Sequence, residues 1–126
     1  MRKFILLGTA ALSMLAVGCV PSPEQLCETE SDTLCDRTYD CFTDAERSDP
    51  SFQAFFGTSL SDCKTKLSTA ASCSSKKNDN DLCTGDDAGK TFNLSNASKC
   101  IDALKAESCS DLRAGTTPDV CNQVCK

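Results

Sequence analysis

The chain of 126 residues has no histidine, no tryptophan and a single tyrosine. Without histidine it lacks the side chain whose ordinary pKa puts a charge change near neutrality, the commonest neutral metal ligand, and the base of every Ser-His-Asp or Cys-His nucleophile. With so few large aromatics there is little on which a sugar or a nucleobase could stack. Positive charge is also scarce: thirteen Lys and Arg stand against eighteen Asp and Glu, a net −5, so nucleic acid is not expected as a partner. No two cysteines are spaced as C-x-x-C, which removes the usual zinc and iron–sulfur pair and the thiol pair of disulfide exchange. No cofactor and no metal are expected.

One uncharged apolar run is present, and it stands at the N-terminus. Arg2 and Lys3 precede Phe4 to Val17, a run of signal-peptide length and too short to span a bilayer. It ends in Leu15-Ala16-Val17-Gly18-Cys19, which resembles the lipobox of bacterial lipoproteins. That resemblance implies cleavage before Cys19, acylation of the Cys19 thiol and of the new amine, and a protein held on the membrane by lipid alone. Val20, rather than Asp, follows the cysteine; by the sorting pattern of Gram-negative lipoproteins this implies the outer membrane. The expected organisation is a signal peptide over 1–18, lipidated Cys19 and spacer over 19–22, and one domain over 23–126.

Taking residues 1–18 from 126 leaves 108, a size at which extra stabilisation is often needed. Eleven cysteines less Cys19 leave ten: Cys27, Cys35, Cys41, Cys63, Cys73, Cys83, Cys100, Cys109, Cys121 and Cys125. An even number in an exported small domain reads as a disulfide framework, here of five bridges. Loss of Arg2 and Lys3 also takes the formal charge to −7. Residues 24–49 hold nine acids against Arg37 and Arg47, whereas residues 50–126 hold nine of each sign, so the excess negative charge lies beside the anchor.

Helix signals then follow in order. Ser22 caps a helix with Pro23 at its first position, either continuous or broken near Ser31-Asp32, burying Leu26, Leu34, Cys41 and Phe42. Its opposite face carries Glu24, Glu28, Glu30, Asp32, Asp36 and Asp40, with Asp44 beyond. Ser48-Asp49-Pro50 opens a short helix bearing Phe52, Phe55 and Phe56, with Gly57 past its end; these rings are either core or an exposed binding patch. Thr58 or Ser59 caps a helix with Cys63 and Leu67 inward. Residues 74–90 form a long polar loop tethered by Cys83, whose acids fail the EF-hand register because Thr84 stands where glycine is required. Asn93 or Ser95 caps a helix carrying Ala97, Cys100, Ile101 and Leu104, with Cys109 near its end. Leu112 to Gly115 form a connector, and a last short helix carries Cys121 and Cys125 on one face, stapling it to a neighbour. The fold class is all-α: a small disulfide-stapled helical bundle of about four to five helices with a long polar loop.

Cys63-Lys64-Thr65-Lys66-Leu67 followed by Ser72-Cys73-Ser74 resembles Cys100-Ile101-Asp102-Ala103-Leu104 followed by Ser108-Cys109-Ser110. Such a repeat implies two helical hairpins built alike. Nested antiparallel pairing within them gives Cys41–Cys63, Cys35–Cys73, Cys27–Cys83, Cys109–Cys121 and Cys100–Cys125, one choice among roughly 900 pairings of ten cysteines. The lipobox, the C-x-R-x-Y-D-C-F run of Cys35 to Phe42, the helix entering Ser61-Asp62-Cys63 and the terminal D-V-C-N-Q-V-C segment together resemble the small Cys-rich lipoproteins of myxobacteria and related bacteria. The resemblance implies origin and architecture, and no activity.

Ser61-x-x-Lys64 and Ser74-x-x-Lys77 match the S-x-x-K of serine acyl-enzymes, but no S-D-N or K-T-G accompanies them. The expected function is therefore non-enzymatic: a lipid-anchored cell-envelope protein that binds an envelope or extracellular partner. Its candidate patch is Phe52, Phe55 and Phe56. A purely structural or protective surface protein is the alternative, and a small hydrolase using carboxylates or Ser/Lys the second.

Overall fold

The structure, a computed structural model, describes residues 19–126; the expected signal peptide over 1–18, with the lipobox-like residues before Cys19, lies outside them. The described residues form an all-α domain of six α-helices: α1 Pro23–Cys41, α2 Asp44–Arg47, α3 Pro50–Phe56, α4 Leu60–Ala70, α5 Leu94–Ala106 and α6 Cys109–Ala114. Two short helices, α2 and α6, are not among those expected, and the expected last helix carrying Cys121 and Cys125 is not an α-helix. The polar loop contains 3-10 turns at Cys73–Ser75, Asp79–Leu82 and Gly85–Asp87. None of the helices is long and apolar enough to cross a membrane.

Local chemistry sets the starts of the helices. Ser22 and Gln25 form a reciprocal capping box at α1, with Pro23 at the first position, so that two otherwise unpaired N–H groups are satisfied. Thr43 and Glu46 do the same for α2. Asp49, Ser59, Asn93 and Ser108 each accept from a backbone N–H in the first turn of α3, α4, α5 and α6. α1 does not break at Ser31-Asp32. Ser31, Thr33 and Thr38 are instead buried against the neighbouring helices, with the Ser31 hydroxyl 3.9 Å from Cys73 Sγ. These small residues let the helices come close.

α1 is the axis on which α4, α5 and α6 pack. The cystines fix the directions: Cys35–Cys63 and Cys27–Cys73 make α4 run antiparallel to α1. α5 runs parallel to α1, for Ala97 and Ile101 lie near Leu26 and Arg37 donates to the Glu107 carbonyl at 2.6 Å. The long helices thus go up, down and up. At the far end Cys41 is joined to Cys109, and the C-terminal segment is tied by Cys100–Cys121 and Cys83–Cys125. All ten cysteines pair, but none in the nested scheme. That scheme placed each partner within its own hairpin, whereas the third long helix of an up-down-up bundle returns alongside the first and carries Cys109 to Cys41. The two similar segments consequently stand in opposite orientations to α1, and they do not form two equivalent hairpins.

Two further expectations are corrected at the C-terminal end. α5 stops at Ala106, and Ser108 caps a new helix, so Cys109 opens α6 and Leu112 belongs to that helix. Residues 121–125 are not an α-helix: a 3-10 turn spans Cys121–Gln123, and Cys125 pairs antiparallel with Phe92, with Thr91 and Lys126 exchanging backbone bonds of 2.6 and 3.0 Å. Freed from one helix face, Cys121 and Cys125 reach different partners, α5 and the polar loop.

Candidate functional site

The C-terminal end of α1 is aromatic. Its last turns present Tyr39 and Phe42, against which α3 sets Phe52, with ring centroids 5.7 and 5.3 Å away, and Phe56 lies 5.0 Å from Phe52 on the other side. These separations suit edge and tilted packing. The proposed patch is therefore divided. Phe52 is buried at 8% exposure and Phe56 is half-buried, whereas Phe55 is 73% exposed. Phe52 and Phe56, four apart, share the inward face of α3, and Phe55 stands roughly 100° round the helix from Phe56.

Phe55 borders an open hollow of about 610 Å³ with Phe42, Ala45 and Phe52 on its floor and Glu46 and Asp49 at its edge. The polar edge is already engaged. Arg113 of α6 lies over the Phe42 ring at 4.7 Å, donates from Nε to the Cys41 carbonyl at 3.2 Å, and reaches Glu46 at 2.7 Å. Bonds from Arg113 and from Thr43 hold the Glu46 carboxyl down to a pKa of about 2. Asp49 is held low by Ser51, which it bonds in capping α3. Arg47 stands 5.4 Å over the Tyr39 ring and pairs with Asp44, and the Tyr39 hydroxyl, its pKa raised by burial and by Asp62, donates to the Gly57 carbonyl at 3.2 Å. Thus Glu46 is met by Arg113 and Asp49 by Ser51, and Phe55 offers exposed apolar surface.

Neither S-x-x-K match assembles a nucleophile. Lys64 lies 2.8 Å from Asp36, which raises its pKa and keeps it charged, and Lys77 donates to the Ser74 carbonyl at 2.7 Å. In the polar loop the Asp81 carboxylate accepts from the Lys77 and Asn78 N–H groups at 2.8 and 3.0 Å, which lowers its pKa and shapes a turn. Among the described residues no three His, Cys, Asp or Glu side chains converge in a way that could hold a metal ion. Cys19 is exposed and outside every cystine.

Glu46, Tyr39 and Arg113 were not singled out in the sequence. Thr43-Asp44-Ala45-Glu46 carries a capping-box signal that could have found the first; nothing in the sequence links Glu46 to Arg113, which is 67 residues away. α1 spans 19 residues, roughly 28 Å at 1.5 Å per residue, and the aromatic hollow and Cys19 lie at its opposite ends. Comparison of the chain with protein-family models, with curated proteins and with solved structures finds no match.

Proposed function

We propose that the protein is a lipid-anchored, non-enzymatic component of the cell envelope that binds a protein partner through its aromatic end. The observation that carries this is Phe55, 73% exposed on an aromatic hollow at the end of α1 opposite Cys19. An anchor at one end and an apolar contact at the other would present the contact away from the membrane, where a partner can reach it. Glu46 at its edge is paired with Arg113 and Asp49 is bonded by Ser51, so docking there desolvates few unsatisfied polar groups. The lipid anchor is supported by the Leu15-to-Cys19 run and by an exposed, unbridged Cys19 thiol.

Two measurements test the halves separately. Mass spectrometry of the mature protein from membranes should show an N-terminal acylated Cys19, and an unacylated Cys19 removes the anchor. A soluble Cys19→Ala form used as bait on envelope extract should retain a defined partner that Phe55→Ser releases; equal capture by both baits removes the aromatic end as the contact.

A further inference from the structure

A second surface lies along α1, away from its row of acids. In projection down the helix, at roughly 100° per residue, Cys27 and Cys35 point toward the α4 side, and Arg37 and Cys41 toward the side of α5 and α6. Leu34 falls between these directions, and Glu30, one turn before it, lines hollows shared with Leu67 and Ala70 of α4 and with Leu104 of α5. α4 and α5 pack on α1 but not to a like extent on each other. The strip of α1 bearing Glu30 and Leu34 is left as the floor of a groove.

Three hollows, of about 180, 260 and 310 Å³, open along this strip, and Glu30 lines all of them. Leu67 of α4, Leu104 of α5 and Leu112 of α6 form walls. Like Leu34 they are only half-buried, so each still has apolar surface to cover. Ala70, exposed on the α4 wall, leaves room for another backbone to approach.

Glu30 is exposed, as the sequence pattern expects, and it also borders this groove. Glu24, Asp36 and Asp40 on the same helix each meet a cation, Lys77, Lys64 and Arg37 respectively. Among the described residues none stands at ion-pair distance from Glu30, and the crowding around its carboxyl raises the pKa. Glu107, at the α5 end of the groove, also has no ion-pair partner among the described residues. Lys76 is the one cation lining these hollows, and its ammonium donates to the Asp81 carbonyl at 2.7 Å. The groove therefore has leucine walls with two carboxylates, Glu30 and Glu107, bordering it outside any ion pair among the described residues.

We propose that this groove docks a cationic amphipathic helix of a protein partner, whose apolar residues cover Leu34, Leu67 and Leu104 and whose Lys or Arg reaches Glu30. A helix fits because the walls are themselves helices, whose side-chain ridges accept a further helix, with anchors spaced i, i+3, i+4 and i+7. An added strand has nothing to pair with, since helix backbones satisfy their own hydrogen bonds. An anionic lipid surface meets the wrong charge. The inference rests on the partner-binding reading only in taking the helix from a protein. Its site is separate from Phe55.

The test needs no envelope component. The soluble Cys19→Ala form is titrated, by calorimetry at low and high salt, with a Leu/Ala/Lys peptide of about 14 residues, roughly 21 Å as a helix, with leucines at i, i+3, i+4 and i+7. A counterpart peptide has every Lys replaced by Glu. The expected result is binding of the Lys peptide alone, weakened at least about tenfold by Glu30→Lys and by Ala70→Arg but not by Phe55→Ser. Far-ultraviolet dichroism confirms that each variant is folded, and Glu30→Gln, which removes the charge without reversing it, should weaken binding by an intermediate factor. No binding of the Lys peptide, equal binding of both peptides, or binding unaffected by Glu30→Lys and Ala70→Arg overturns the proposal. Because the Phe55→Ser capture experiment is independent, either surface can fail while the other stands.

Discussion

Glu46 and Arg113 bring α2 and α6 together with a charge-assisted bond on which the edge of the aromatic hollow depends. The Glu46 carboxyl falls from an ordinary 4.5 to about 2 in the folded protein. A depressed carboxylate pKa contributes stability that is present above the unfolded value and is lost as the pH falls through the folded one. The contribution should therefore disappear between about pH 4.5 and pH 2, and thermal melts of Glu46→Gln should lack the part of the acid destabilisation that the native protein shows in that window. Glu30 behaves in the opposite sense. Its pKa is raised because neighbouring atoms desolvate the carboxyl, so ionisation disfavours the fold, and the penalty fades as the pH falls through the folded pKa. Glu30→Gln should accordingly melt higher than the native protein at pH 7, with the difference shrinking in acid; a lower melting temperature at pH 7 would show that the charge is already compensated.

At the scale of elements, the most sensitive junction is the turn from α3 into α4. Gly57 has φ of +80°, and a Cβ placed there would lie 2.7 Å from Asp62 Cγ, whose carboxylate accepts from the Thr58 N–H. Gly57→Ala should cost about 1–3 kcal/mol in urea unfolding, and a neutral result would mean that the turn can relax. This junction was legible in the sequence, as were the cap Ser22 and, each as one of two neighbouring candidates, Ser59 and Asn93, because start and stop signals act within three or four residues. The Cys109 boundary was not: the expected helix carries Cys109 near its end and Leu112 falls in a connector, although Ser108-x-x-Asp111 carries a local cap signal. The pairing of the cysteines and the position of Phe55 were not legible either. Parity counts bridges without choosing partners, and three phenylalanines within five residues do not say which side of a two-turn helix faces in. Glu30 is exposed in its row of acids as expected, but that row does not reveal that it also borders hollows walled by α4 and α5.

For the whole molecule, the bridges fall into two sets. Cys27–Cys73 and Cys35–Cys63 tie α1 to α4 and to the turn after it, while Cys83–Cys125 and Cys100–Cys121 tie the C-terminal segment to the loop and α5. Cys41–Cys109 is the one bridge between the sets and closes a sequence separation of 68 residues. Replacing both of its cysteines with serine should cost about 4 kcal/mol in the chain-entropy account, measured by denaturant unfolding, and should loosen α5 and α6 before α4. An unchanged midpoint would mean that packing alone holds those helices to α1. The same bond has a consequence for damage. A protease that nicks the exposed loop between Cys73 and Cys83 cuts a stretch that neither set spans, and Cys41–Cys109 becomes the only covalent thread between the two pieces. Such a nicked protein would run as a single species on a non-reducing gel and separate into two fragments once thiol is added.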